Sequence, residues 1–375
     1  MEKTDEIILE KRKLKALPFC YANILLIPIG IGIIILCKMF PAVAEFYAVN
    51  IYPSLMNIIL TITNFIPFSL VEVTIIFAPI FIIIYFVNKV MYAEKNDKKN
   101  IIKKFVGWIV SWISVIFIGL VLLEGINYHR ISFAEYTDLP VEKSTKYELY
   151  GLCKELADNA NTLRYRVSED DMGVSKLFSD DIYQVAEKSY QAYEKLAVKY
   201  PILGGNKIRP KPLICSKFMS FTEITGIFSP LTMEANINSD VTVYSLPSTM
   251  CHEMSHIRGI MREDEANFIS YLACMESDDS SIQYSGTMLA LVYSMNQLYS
   301  EDYDLFLEVY ADYSDGIKRD FDAYSNYWKK FEGPIAEVSN RVNDTYLKLN
   351  NQTDGVKSYG RMVDLLLAER RQRRS

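Results

Sequence analysis

The pattern of apolar positions along this chain changes character near residue 125. Before that point apolar residues come in nearly unbroken runs. Residues 19–37 (FCYANILLIPIGIGIIILC), 70–88 (LVEVTIIFAPIFIIIYFVN) and 105–123 (FVGWIVSWISVIFIGLVLL) each approach the roughly 20 residues a helix needs to cross a bilayer. Glu72 is the one acidic residue among them, close enough to an end to reach headgroups. The stretch 41–69 is also apolar, but Pro53 and Pro67 interrupt it, and a span there would run into the next with no loop. It therefore reads as an interfacial or re-entrant segment. After residue 144 the period becomes helical: Leu149, Leu152, Cys153, Leu156, Ala160 and Leu163 share one face. A second helix is predicted from Ser179 to Tyr200, stopped by Pro201. Residues 212–245 are rich in β-branched and aromatic residues between turn formers, which predicts two to four short strands. From Pro247, at a first-turn position, the pattern is helical almost to the end.

Charge gives these elements a sidedness. Lys3, Lys11, Arg12, Lys13 and Lys15 precede the first span, and Lys89, Lys95, Lys98, Lys99, Lys103 and Lys104 lie between the second and third. The first connection has only Lys38, at its edge. Positive residues stay on the cytoplasmic side, so residues 1–18 are expected in the cytoplasm, 19–124 in the membrane, and 125–375 outside it. The expected class is α+β, mainly α: three N-terminal transmembrane helices of a multi-pass cell-membrane protein, followed by an extracytoplasmic domain with a small sheet. Ala42-Val43-Ala44 has the form of a signal-peptidase site; cleavage there would remove the first span and leave the sidedness of the rest unchanged. The net charge of −6, without a basic stripe, argues against nucleic acid and leaves the lipid bilayer as the evident partner. The six cysteines form no CxxC pair and read as small buried apolar residues, with a disulfide among Cys153, Cys215, Cys251 and Cys274 open if that domain is outside.

Only three histidines occur, and two of them lie in Cys251-His-Glu-Met-Ser-His256. Residues four apart stack on one helical face, so His252 and His256 can offer two imidazole nitrogens to one Zn2+. Glu253 sits about 100° around the helix, placed to reach a zinc-bound water as a general base rather than to bind the metal. A catalytic zinc needs a third protein ligand. An extended HExxHxxGxxH motif fails, because Arg262 stands where the third histidine belongs. Downstream, Glu263-Asp-Glu-Ala-Asn267 is similar to the E-x-x-[SA]-[DN] helix of glutamate zincins. That resemblance implies a zincin-like domain with Glu263 as third ligand and Asn267 orienting an imidazole; Glu265 is the rival ligand.

TGIFSPLTMEANIN and VNDTYLKLN…DGVKSYGRMVDLLLA further resemble a bacterial membrane family catalogued as domain of unknown function 3810. The resemblance implies a zinc metalloendopeptidase acting on a peptide or protein substrate, and names no substrate. Oxyanion stabilisation is expected from Tyr359, Arg361 or Tyr284, since the remaining histidine, His129, follows directly on the third span. The EANIN segment resembles the edge strand on which such peptidases lay an extended substrate. The competing expectation is a zinc-stabilised membrane receptor or sensor that cuts nothing.

Overall fold

A computed structural model describes residues 22–93, 97–349 and 361–374; the expected cytoplasmic N-terminus, Cys20 and Tyr359 lie outside them. Five helices come first: α1 (Leu26–Met39), α2 (Pro41–Asn50), α3 (Tyr52–Thr63), α4 (Leu70–Met91) and α5 (Lys98–Leu123). Helices α4 and α5 are long and apolar enough to cross a membrane, and the first run makes a third span only if it is counted together with α2, from which it is bent by 108°. The bend falls at Phe40, whose backbone (φ −131°, ψ 80°) is held out of the helical region by the following Pro41. Ala42-Val43-Ala44 thereby lies inside α2, with Ala44 buried.

Helix α3 departs from the interfacial expectation on one face. Tyr52, Met56, Leu60 and Thr63 form a buried stripe, and Tyr52 Oη donates to the carbonyl of Ile257, 2.8 Å away and 205 residues on. The other face keeps Ile58 and Ile62 exposed, and Phe65, just past the helix, is exposed as well. The core of the large helical body thus begins well before residue 125.

Helix α4 is anchored to that body by carboxylates. Buried Glu234 accepts from the backbone N–H groups of Leu70 (2.9 Å) and Val71 (3.0 Å) and from Lys211 Nζ (2.6 Å). A carboxylate at a helix N-terminus satisfies free N–H groups and complements the helix dipole. Glu72 does not serve headgroups as the sequence suggests. It accepts from the N–H groups of Ile214 (3.0 Å) and Cys215 (2.7 Å), pinning a loop of the body to the end of α4.

The body is built from α6 (Phe133–Tyr136), α7 (Lys146–Arg164), α8 (Ile182–Lys199), α9 (Ser216–Ser220), α10 (Leu246–Ile257), α11 (Glu263–Met275), α12 (Ser280–Glu301), α13 (Tyr303–Ala311), α14 (Asp315–Trp328), α15 (Pro334–Leu349) and α16 (Met362–Arg374). Helix α7 buries its predicted stripe and starts with a capping box, Thr145 with Glu148. Helix α8 begins at Ile182 because Asp181, not Ser179, caps it. A mixed three-stranded sheet of β1 (Lys211–Pro212), β2 (Gly226–Ser229) and β3 (Glu234–Ile237) lies beside α10, in the order β1-β3-β2. Strand β3 runs parallel to β1 and antiparallel to β2, with Phe228 opposite Ala235. The described cysteines are free thiols, Cys251 and Cys274 lying buried with their sulfurs 4.0 Å apart.

Candidate functional site

Helix α10 carries the first half of the site. Pro247 presets its first turn, and beyond its end the chain reverses at Gly259. That residue has φ +82°, and a Cβ there would lie 3.2 Å from the Tyr52 ring, so both backbone and space call for glycine. Four residues later α11 starts at Glu263, and the two helices face each other.

This turn brings His252, His256 and Glu263 into one group whose ligand atoms all lie within 4.8 Å of one another. Each imidazole is held by its far nitrogen. His252 Nδ1 lies 2.8 Å from Asn267 Oδ1, and His256 Nδ1 lies 2.8 Å from the carbonyl of Ile260. Both partners are acceptors, which puts the Nδ1 protons there and turns both Nε2 atoms inward, each able to bind an ion when it carries no proton. The Nε2 atoms are 3.0 Å apart, and carboxylate oxygens of Glu263 stand 3.2 Å from His252 Nε2 and 3.7 Å from His256 Nε2. Two lone pairs and a carboxylate aimed at one point form a donor set that fits a divalent ion of the zinc type. Glu263, not Glu265, belongs to it. The Glu265 carboxylate turns the other way, accepting from the N–H of Phe133 and from Arg262 Nη1, each at 2.9 Å.

The electrostatics of the metal-free group follow from this crowding. Burial alone lowers the His252 pKa, but the hydrogen bond and charge of Glu263, with Glu253 and Asn267, carry it up to about 9. His256 is pushed down to about 4, first by burial, with Glu263 opposing and His252 adding to the fall. Glu253 is raised to about 8 by burial; His252 lowers it, Glu263 raises it further, and a hydrogen bond from the Phe228 backbone lowers it. A Cβ on Gly226 would sit 2.6 Å from Glu253 Oε1, so strand β2 approaches this carboxylate as only glycine permits.

Tyr284 and the EANI segment depart from the sequence expectation, and Arg361 lies beside the sequence neighbour of Glu263. Tyr284 is fully buried away from the group and donates to Asp320 Oδ2 (2.7 Å), which also accepts from Arg164 Nε (2.7 Å) and the N–H of Ser175 (2.8 Å). Its hydroxyl completes a core ion pair and faces no substrate. Arg361 lies 3.3 Å from Asp264 and lines, with Tyr128, Arg262 and Glu265, a cavity of about 840 Å³ that contains none of the three grouped ligands. The EANI strand is the middle of the sheet, because β1 pairs along its other side; the outer strand beside Glu253 is β2. Tyr359, the remaining candidate, lies outside the described residues.

Other side chains border the group without a sequence signal. Asn267 Nδ2 donates to Tyr293 Oη at 3.4 Å. Tyr346 donates to Glu124, just past α5, and stacks edge-on against Tyr128 at 6.4 Å. The charge of Glu263 reaches all of these: Glu124, Tyr128, Tyr293 and Tyr346 have raised pKa values, each chiefly through burial, with Glu263 contributing. Twenty-six tyrosines in the chain hide any one of them from a local reading.

No curated protein and no solved structure matches the chain. A profile of the family described as "Protein of unknown function (DUF3810)" matches residues 47–367, from within α2 into α16, and so takes in the α3 stripe together with the helical body. The chain therefore belongs to the family Protein of unknown function (DUF3810).

Proposed function

We propose that this chain is a membrane-anchored zinc metallopeptidase that hydrolyses peptide bonds on the extracytoplasmic side. The observation that carries the reading is the convergence of His252 Nε2, His256 Nε2 and Glu263, each imidazole locked from behind, with the buried Glu253 carboxylate next in sequence to one of them. A zinc ion held by these three residues would polarise the scissile carbonyl and make a nearby water acidic near neutral pH. Glu253 then accepts the proton of the attacking water and returns it to the leaving amine. Asn267 and the Ile260 carbonyl hold both imidazoles in the tautomer that keeps Nε2 free. Strand β2, whose Phe228 backbone already hydrogen-bonds Glu253, offers the main-chain edge along which an extended substrate would pair.

The test is full-length protein in detergent, wild type against Glu253→Gln, on a mixed peptide library. The substitution keeps shape and removes the base, so zinc content should match and cleavage should fall by roughly 10²-fold or more. Equal cleavage by both would end this mechanism. A zinc-loaded wild type that cuts nothing would favour the sensor reading.

A further inference from the structure

Helix α15 carries two distinct faces. Ala336 and Leu347 are buried against the body, while Ile335, Val338, Val342, Tyr346 and Leu349 are exposed, at 59, 51, 64, 40 and 80 %. Their spacing of 3, 4, 4 and 3 makes one continuous apolar stripe, and Glu337, Arg341 and Lys348 lie off it. A soluble surface seldom exposes so much apolar side chain along one helix face as Ile335, Val338, Val342 and Leu349 do here.

The C-terminal end of α15 is tied to the end of one membrane-length helix, and its other contacts reach the segment that leads from the first turn of another. Near its C-terminal end Tyr346, a member of the stripe, donates to Glu124, the residue directly after α5. Midway along it Asn340 Nδ2 donates to Glu223 (2.8 Å), and just before it Phe331 packs edge-on against Phe221 at 5.0 Å. Phe221 follows α9, which begins one residue past Cys215, bonded through its N–H to Glu72 in the first turn of α4. Ile214 and Phe218 beside that contact are also exposed, at 77 and 75 %. A helix of 16 residues is about 24 Å long; this one ends beside the domain-side end of α5, and its first half lies against the segment that follows the Glu72 contact of α4. The turn joining β2 to β3 goes deeper: a Cβ on Gly119, within α5, would lie 2.9 Å from Leu231. From Leu231 back to Gly226, against Glu253, is five residues of chain, at most about 17 Å.

We infer that the apolar stripe of α15, with Ile214 and Phe218, rests in the interfacial layer of the bilayer, so that the cleft at β2 and Glu253 opens at the membrane surface and receives the juxtamembrane segment of a membrane-anchored polypeptide. The lipid seating stands on the contacts above alone; the substrate class rests on the peptidase reading. Lipid is the occupant because the stripe ends at the residue that follows α5, a helix long and apolar enough to span a bilayer, and Ile214 and Phe218 lie beside the first turn of α4, another such helix.

The seating is tested on the full-length protein in phosphatidylethanolamine–phosphatidylglycerol nanodiscs. Nitroxides are placed on cysteines introduced singly at Val338, Val342 and Leu349, with Glu337 and Arg341 as references, subtracting the signal of identically treated wild type. All five are surface positions, so folding is little at risk, and size-exclusion elution at the wild-type volume checks it. Labels on the stripe should be relaxed several-fold more by oxygen than by a water-soluble nickel chelate, and labels at the references the reverse. Nickel accessibility equal to that of Arg341, or immobilisation with protection from both reagents as a protein partner would give, overturns the seating. For the substrate class, single-span polypeptides with a randomised juxtamembrane stretch are co-reconstituted and compared with the same stretches free in solution. Glu253-dependent cleavage of the anchored form alone is expected. Equal cleavage of both overturns the substrate class while keeping the peptidase; cleavage of neither overturns the peptidase and the substrate class with it, and leaves the label result to stand.

Discussion

Asn267 offers the sharpest perturbation of the proposed metal centre, because it touches a ligand and nothing that reacts. Its Oδ1 accepts from His252 Nδ1 at 2.8 Å and its Nδ2 reaches Tyr293 Oη at 3.4 Å, the longer and weaker contact. Asn267→Ala frees the half-buried His252 ring to rotate and to exchange its Nδ1 proton for one on Nε2, the atom that must stay bare. Losing such a partner typically lowers metal affinity by about 10–100-fold, or about 1.4–2.7 kcal/mol. Fold stability should fall by only about 1 kcal/mol, the usual net value of one hydrogen bond. Asn267→Asp keeps an acceptor in place and should hold affinity near wild type or above it. The assay is competition for zinc against a chromophoric chelator, using full-length protein in detergent. An Asn267→Ala variant with unchanged affinity would refute the reasoning, as would an Asp variant as weak as the Ala one.

Other consequences follow from the same distances and charges. In the metal-free protein His252, raised to about 9, is protonated at pH 7, whereas His256, lowered to about 4, is neutral. Metal must displace the His252 proton, so apparent affinity should rise with pH through neutrality and level off above about 9. Calorimetry in buffers of different ionisation enthalpy should find at least one proton released per ion at pH 7; none released would contradict the charge state assigned to His252. Tyr284→Phe should leave metal content intact and cost about 1.5–3 kcal/mol of stability, read by denaturant unfolding, since it removes a hydrogen bond to the buried Asp320 carboxylate. A large loss of metal with little loss of stability would return Tyr284 to the site. Glu234→Gln strands the buried Lys211 ammonium and weakens two capping bonds to α4, at a cost of about 3–5 kcal/mol. Adding Lys211→Met should recover much of that; a double variant no more stable than Glu234→Gln would show that the pair is not the source.

What could be read from the sequence is what helical geometry encodes locally. His252 and His256 are one turn apart, and Glu263 and Asn267 are one turn apart, so each pair shares a face whatever the rest of the chain does. The glycine between them needed only its φ of +82° to bring the pairs together. What could not be read depends on distant partners. Whether the apolar stripe of α3 meets lipid or protein is invisible to hydropathy, because lipid tails are as apolar as a core; Tyr52 meets Ile257 and is inside. Glu72 resembles an interfacial carboxylate until Ile214 and Cys215 arrive from 142 and 143 residues away. EANI resembles an edge strand because β1, only two residues long, leaves almost no trace in the pattern. The Tyr284 hydroxyl looks available in the sequence, yet it is held by Asp320, 36 residues on.

The most direct test of the account is the metal content of purified full-length protein, measured by elemental analysis for wild type, Glu263→Ala and Glu265→Ala after equal zinc loading and desalting. Glu263 carboxylate oxygens stand 3.2 and 3.7 Å from the two imidazole nitrogens, whereas Glu265 is engaged with Phe133 and Arg262. One zinc per chain is expected in wild type, nearly one in Glu265→Ala despite its lower stability, and little in Glu263→Ala. Full zinc in Glu263→Ala, or a wild type that retains none, would contradict it.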